Sequence, residues 1–85
     1  IKGQTQQTFD IIDQFLADAG TDKSYIMSVT IYLKDIEKDY AAFNEVWDAW
    51  VADIEALPRT CVEAKLYDPN VLVELTVVAV KPDTP

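Results

Sequence analysis

The spacing of apolar residues along this chain switches between a helical and a strand period. Residues 4–19 carry Phe9 and Leu16 on a stripe with intervals of three and four, which predicts an amphipathic helix that stops at Gly20. Residues 25–33 are rich in β-branched and aromatic side chains and alternate with period two, which predicts a strand. The side chains on its predicted inner face are Met27, Val29, Ile31 and Leu33.

The second half of the chain repeats this switch. Asp39 is the predicted cap of a second helix that runs through Trp50, and residues 59–66 and 71–80 are two predicted strands. The turn-forming residues at 67–70 between them indicate an antiparallel hairpin. The order therefore predicts a single α+β domain over residues 1–85, with two helices on one face of a small sheet.

Composition limits the partners of such a domain. Apolar residues make up 49% of the chain, which has only 85 residues and so can bury a limited core. Part of the apolar surface is therefore expected to face another copy of the chain. A net charge of −8 repels phosphate backbones and anionic lipid, so neither nucleic acid nor a membrane is an expected partner. A lone Cys61 cannot form an internal disulfide, which favours a reducing, cytoplasmic setting.

The residue types also exclude several chemistries. The chain has no histidine, so a single copy cannot build a Ser-His-Asp triad, a Cys-His dyad or a histidine-containing zinc site. No acidic loop with calcium-binding spacing and no phosphate-cradling glycine loop is present, so neither a metal nor a cofactor is expected.

Arg59 and Glu74 are the candidate chemical residues. If Leu66 pairs with Val71 across the turn, Arg59, Cys61, Thr76 and Glu74 lie on one side of the hairpin. A guanidinium is a planar fork for a carboxylate, and a glutamate between Val73 and Leu75 is expected to be desolvated enough to shuttle protons. The alternative is a surface arginine at a turn and a solvent-facing glutamate on an edge strand.

Three other residues have a structural and a functional interpretation. Cys61 is either a small buried hydrophobe or part of a pocket, and without a histidine it is not an activated nucleophile. Asn44 is a polar residue on a helix surface or at a cleft edge. Trp47 and Trp50, three apart on a helix, are typical of a core or a subunit contact.

The order of these motifs resembles the RidA family, the YjgF-type reactive-intermediate deaminases that act on enamines and imines. The resemblance covers essentially the whole chain, and its most specific part is the Pro-Arg-Thr-Cys-Val run with the downstream Val-Glu. The matching segments are Gln4-Thr5-Gln6-Gln7, Leu16-Ala17-Asp18-Ala19-Gly20, Val29-Thr30-Ile31-Tyr32-Leu33-Lys34-Asp35, Phe43-Asn44-Glu45-Val46-Trp47, Pro58-Arg59-Thr60-Cys61-Val62-Glu63 and Val73-Glu74-Leu75.

The resemblance implies a small mixed sheet with two helices on one face, assembled as a chorismate-mutase-like homotrimer with clefts between subunits. It implies that Arg59 binds the carboxylate of an imine or enamine of the 2-aminoacrylate kind, with Asn44 and the neighbourhood of Cys61 lining the pocket. Glu74 is then the residue that activates the water, which releases a 2-keto acid and ammonia.

One departure from the family pattern leaves a second function open. Family members have further strands before the first helix, whereas Ile1 leads almost directly into it, so the domain is expected to be short at its N-terminus. The alternative function is therefore a non-catalytic, oligomeric small-molecule-binding or structural module of the same fold.

Overall fold

A computed structural model describes residues 1–82 of the chain. Its elements are α1 (Lys2–Asp18), a short 3₁₀ turn (Lys23–Tyr25), β1 (Ile26–Leu33), α2 (Ile36–Trp50), β2 (Arg59–Glu63) and β3 (Val73–Ala79). Two helices and a three-stranded mixed sheet confirm the predicted α+β class. Within the described part of the chain, neither helix combines the length and apolar content needed to cross a bilayer.

Strand β1 lies in the middle of the sheet, in the order β2-β1-β3. It runs parallel to β2, with Val29 opposite Arg59, and antiparallel to β3, with Tyr32 opposite Glu74. The predicted hairpin between β2 and β3 is therefore wrong, because these strands flank β1 on opposite sides. Helix α2 is long enough to carry the chain back for parallel pairing, and the central position satisfies the backbone of the most apolar strand along both edges.

Residues 64–72 cross from one edge of the sheet to the other beyond the end of β1. Lys34 N–H donates to the carbonyl of Leu72 at 3.0 Å. The side chain of Gln4 on α1 fixes the far end of the crossing, since its amide nitrogen donates to the carbonyl of Asn70 at 2.7 Å and its oxygen accepts from Leu72 N–H at 2.8 Å. The turn residues at 67–70 thus bend a crossover segment and do not close a hairpin.

The core lies between the helices and one face of the sheet. Phe9 of α1 is fully buried and stacks on Trp50 of α2, with ring centroids 4.3 Å apart and planes within 1°. Val29, Ile31 and Leu33 are buried as predicted, but Met27 is 59% exposed. The alternation fails at Met27 because the pairing of β1 with β3 shifts between Ile26 and Ser28, and Ile26 takes the buried place.

No helix of the described residues 1–82 packs on the opposite face of the sheet. Thr30 and Tyr32 of β1, Val62 of β2 and Glu74 and Val78 of β3 share this open face by register. Val62 is 38% and Val78 52% exposed. This mixed apolar and polar surface is the part of the fold that one copy of the chain leaves uncovered.

Helix α2 begins four residues before the predicted position, with Asp35 as its cap in place of Asp39. The Asp35 carboxylate accepts from Lys38 N–H at 3.1 Å, and Glu63 at the end of β2 accepts from Ile36 N–H at 3.1 Å. Two carboxylates therefore satisfy free N–H groups at the positive end of the helix. Asp39, the predicted cap, is instead a buried residue of the first turn.

Lys23 provides the cation that the other end of α2 lacks in its own last turn. Its ammonium donates to the carbonyl of Trp50 and lies 3.0 Å from the Asp53 carboxylate. The Lys23 side chain is only 22% exposed, so this contact is partly shielded from water. A cation at a helix C-terminus stabilises the free carbonyl groups there.

We expect Lys23→Met to lower the free energy of unfolding by about 1 kcal/mol, because the α2 C-terminus loses a charge-assisted hydrogen bond while the apolar stem is kept. Urea unfolding followed by circular dichroism measures the change. Lys38→Met, which removes the same charge from an exposed position near the start of α2, is the matched control. Equal losses in the two variants would contradict a specific role for Lys23.

Candidate active site

Arg59 is the first residue of β2, and its register decides where the side chain lies. It pairs with the buried Val29, and Cys61 pairs with the buried Ile31, so both side chains are on the helix-facing side of the sheet. Because β2 is an edge strand, the arginine lies at the border of the core. Its guanidinium reaches the surface of α2 that faces this edge.

One face of α2 forms the surroundings of the guanidinium. Nη2 of Arg59 donates to Asn44 Oδ1 at 2.7 Å and makes a longer contact of 3.4 Å with the Tyr40 hydroxyl. The guanidinium carbon lies 4.9 Å from the centre of the Trp47 ring and 5.9 Å from that of Phe43. Asn44 thus orients the planar fork, and the aromatic faces stabilise its charge.

The positive charge of Arg59 is not neutralised by any carboxylate within residues 1–82. The ion pairs in this part of the chain join Lys2 to Glu45 and Lys23 to Asp53. Nη1 of Arg59 is buried and finds no hydrogen-bond partner among residues 1–82. A buried donor on a cation costs free energy when it lacks an acceptor, so an anion that supplied one would be favoured.

A cleft of about 430 Å³ opens beside this arginine. Its volume lies in the range of roughly 300–1,000 Å³ that is usual for small-molecule sites. Apolar side chains form most of the wall, and Asn44, Asp48 and Arg59 are its polar members. The lining residues are Asn44, Trp47, Asp48, Val51, Ala56, Leu57 and Arg59.

A larger cleft of about 760 Å³ lies on the other side of the loop that joins α2 to β2. Its charged lining residues are Asp53 and Glu55, and no basic residue lines it, so it suits an anionic ligand poorly. Within residues 1–82 no group of three or more potential metal ligands occurs, so these acids do not form a metal site either. The arginine cleft is therefore the better candidate.

Glu74 does not lie near Arg59 in one copy of the chain. It pairs with Tyr32 and is exposed on the open face of the sheet, whereas Arg59 is on the helix-facing side. Two strand spacings and three residues along β1 separate their backbones by about 14 Å, and the side chains point apart. The predicted common side for Arg59, Cys61, Thr76 and Glu74 is wrong, because β2 and β3 do not form the hairpin that it assumed. The desolvation expected for Glu74 from its neighbours Val73 and Leu75 is not found in one copy, because Glu74 lies on the open face of the sheet.

Cys61 is half-buried on β2, two residues after Arg59. Burial raises the pKa of its thiol above the ordinary value, and the nearby Arg59 charge opposes that rise. Both the ordinary value and the direction of the change keep the thiol protonated at neutral pH. Cys61 is consistent with a residue that packs against the core and not with a nucleophile, and it does not line the cleft beside Arg59.

The structure brings together Arg59 and Asn44 from the predicted set and adds residues that the sequence reasoning missed. Tyr40, Trp47 and Asp48 contact the arginine or line its cleft. With Asn44 they are spaced by three, four and seven or eight positions on α2, which is the signal for a common helix face. That spacing does not predict the parallel pairing of β2 with β1, which places Arg59 against this face.

Comparisons with known proteins agree with this fold. The family model described as endoribonuclease L-PSP matches residues 1–81. A RutC family protein of Haemophilus ducreyi is 46% identical over 76 residues, which cover 89% of this chain and 64% of that protein. The RutC family protein YoaB of Escherichia coli is 43% identical over 76 residues, 89% of this chain and 66% of that protein. The chain thus spans about two thirds of the length of these relatives.

A solved structure gives the same result. NMB1025 of Neisseria meningitidis, described as a member of the YjgF protein family, superposes with a TM-score of 0.88 at 45% identity, covering 94% of this chain and 66% of that one. The two helices and mixed sheet thus correspond to the chorismate-mutase-like fold expected from the motif order. The chain belongs to the endoribonuclease L-PSP family, which is the YjgF/RidA family that its motifs resemble.

Proposed function

We propose that this chain hydrolyses reactive imines and enamines of amino-acid origin, of the 2-aminoacrylate kind, to 2-keto acids and ammonia. The observation that carries the proposal is the Arg59 guanidinium, which Asn44 and Trp47 hold at a cleft without a carboxylate partner. In a chain with net charge −8, such a cation favours a small anion that brings its own carboxylate.

The water-activating residue in this proposal is Glu74 of a second copy. The exposed face of the sheet that carries Glu74 also exposes Val62 and Val78, and burying such apolar area between copies contributes about 25 cal/mol per Å². A homotrimer, as the family resemblance implies, would bring this face of one copy toward the Arg59 cleft of the next. Each site would then be shared by two subunits.

The reaction needs only water and proton transfers. The water oxygen bonds to the imine carbon while the electron pair of the C=N π bond moves to nitrogen, which takes up a proton. The C–N bond of the resulting carbinolamine then breaks, ammonia leaves, and the carbinol hydroxyl loses its proton to give the keto group. Glu74 accepts the proton of the attacking water and returns it to the leaving nitrogen, as a general base and then acid.

RNA cleavage, which the description of the family names, fits the residues of this chain poorly. A net charge of −8 opposes binding of a phosphate backbone, and the chain has no histidine for acid–base catalysis at a ribose hydroxyl. A binding role without turnover remains the second candidate, because the Arg59 cleft is formed within one copy whereas Glu74 is remote from it.

We expect Arg59→Ala to lower kcat/KM for imine hydrolysis by about 10- to 100-fold, the size of one charge-assisted contact with a carboxylate. An amino-acid oxidase generates the imine in the assay, and release of keto acid is compared with spontaneous hydrolysis. Lys65→Ala removes the same charge from an exposed residue outside the cleft and should match the parent. A folded Arg59→Ala protein with parental activity would contradict the assignment.

We expect Glu74→Gln to slow hydrolysis by about 10²- to 10⁴-fold, because the amide keeps the shape of the side chain but cannot accept the proton of the water. Affinity for a 2-keto acid, measured by calorimetry, should stay at the parental level because Arg59 is unchanged. Glu55→Gln, an exposed loop residue, is the control for the loss of one negative charge. Full activity of Glu74→Gln would refute the proposed base.

A further inference from the structure

We propose that Asp48 binds the cationic nitrogen of the substrate, so that the cleft recognises a zwitterion, with its carboxylate at Arg59 and its protonated imine at Asp48. This inference rests on the proposed function and assigns a role to a residue that neither the motif order nor the family resemblance singled out. Asp48 and Arg59 line the same cleft. Asp48 follows Asn44 by one helical turn and therefore lies on the same face of α2.

Both charges remain available in the described structure. Asp48 is exposed, and its carboxylate makes no ion pair or side-chain hydrogen bond within residues 1–82. The guanidinium of Arg59 is more than 4.0 Å from any carboxylate oxygen there, and it is turned to Asn44 and the ring of Trp47. The cleft thus presents an unpaired cation and an unpaired anion on neighbouring parts of one wall.

This pair of charges matches the substrate better than the product. A protonated imine of an amino acid carries a positive nitrogen one bond from the carbon that bears its carboxylate. After hydrolysis the 2-keto acid keeps the carboxylate but has lost the nitrogen. Asp48 would attract the first and repel the second, which favours substrate binding and product release at one site. Protonation also makes the imine carbon more electrophilic, so a carboxylate beside the nitrogen favours the reactive form.

The fold does not depend on Asp48. The residue lies in the last turn of α2, where a carboxylate faces the negative end of the helix dipole and where the helix itself has no basic residue. Asp48→Asn is therefore expected to keep the stability of the protein or raise it slightly. This makes the variant suitable for binding measurements, since a loss of affinity would not follow from unfolding.

The test uses leucine and 4-methyl-2-oxopentanoate, which share a side chain and a carboxylate but differ in the charged nitrogen. The apolar wall of Trp47, Val51 and Leu57 suits this side chain. Calorimetry gives the Kd of both probes for the parent, for Asp48→Asn, and for Asp18→Asn, which removes the same charge from an exposed position at the end of α1.

We expect Asp48→Asn to weaken leucine binding by about three- to tenfold and to leave 4-methyl-2-oxopentanoate binding equal or up to about threefold tighter. Asp18→Asn should change neither Kd. Opposite effects on the two probes would indicate a charge that interacts with the nitrogen, because a general disturbance of the cleft would weaken the binding of both probes.

Two results would overturn the proposal in distinguishable ways. If the parent binds 4-methyl-2-oxopentanoate and Asp48→Asn changes both Kd values equally or not at all, the role of Asp48 is refuted while the Arg59 carboxylate site stands. If the parent binds neither probe, both the zwitterion site and the carboxylate site of the proposed function are refuted.

Discussion

The hydrogen bonding of β1 on both of its edges determines the rest of this structure. Its pairing with β2 places Arg59 beside the core and against α2, and its pairing with β3 turns Glu74 to the open face. A slip of β1 by one residue against its neighbours would exchange the faces of every side chain in β1. The buried Val29, Ile31 and Leu33 resist such a slip, because it would expose three side chains that now pack under the helices.

The position of Arg59 balances the free-energy cost of partly burying its charge against the contacts that replace its hydration. Taking a guanidinium partly out of water is costly unless other groups replace its hydration. The Asn44 oxygen and the Trp47 ring replace part of it, and Nη1 remains without an acceptor. Because no carboxylate within residues 1–82 neutralises the charge, the surroundings of Arg59 favour a small anion, which the proposed function identifies as the substrate carboxylate.

Local patterns in the sequence predicted the elements but not their neighbours. The helix α1, its end at Gly20 and the strand β1 each follow from the pattern of adjacent residues, and the structure confirms them, although the alternation within β1 holds only from Val29 to Leu33. The pairing of β2 cannot be predicted from adjacent residues, since a turn at 67–70 is compatible with a hairpin and with a crossover. The contacts of Gln4 with Asn70 and Leu72 join residues almost seventy positions apart, and they help to favour the crossover.

In the proposed mechanism, Arg59 and Glu74 contribute to the same active site only when they come from different copies of the chain. Mixing Arg59→Ala and Glu74→Gln proteins after denaturation, and refolding them together, tests it directly. We expect the mixture of the two impaired variants to exceed the activity of either alone and to reach up to about a quarter of the parental value when copies mix at random. Absence of any regained activity, while light scattering shows mixed oligomers, would contradict a shared site.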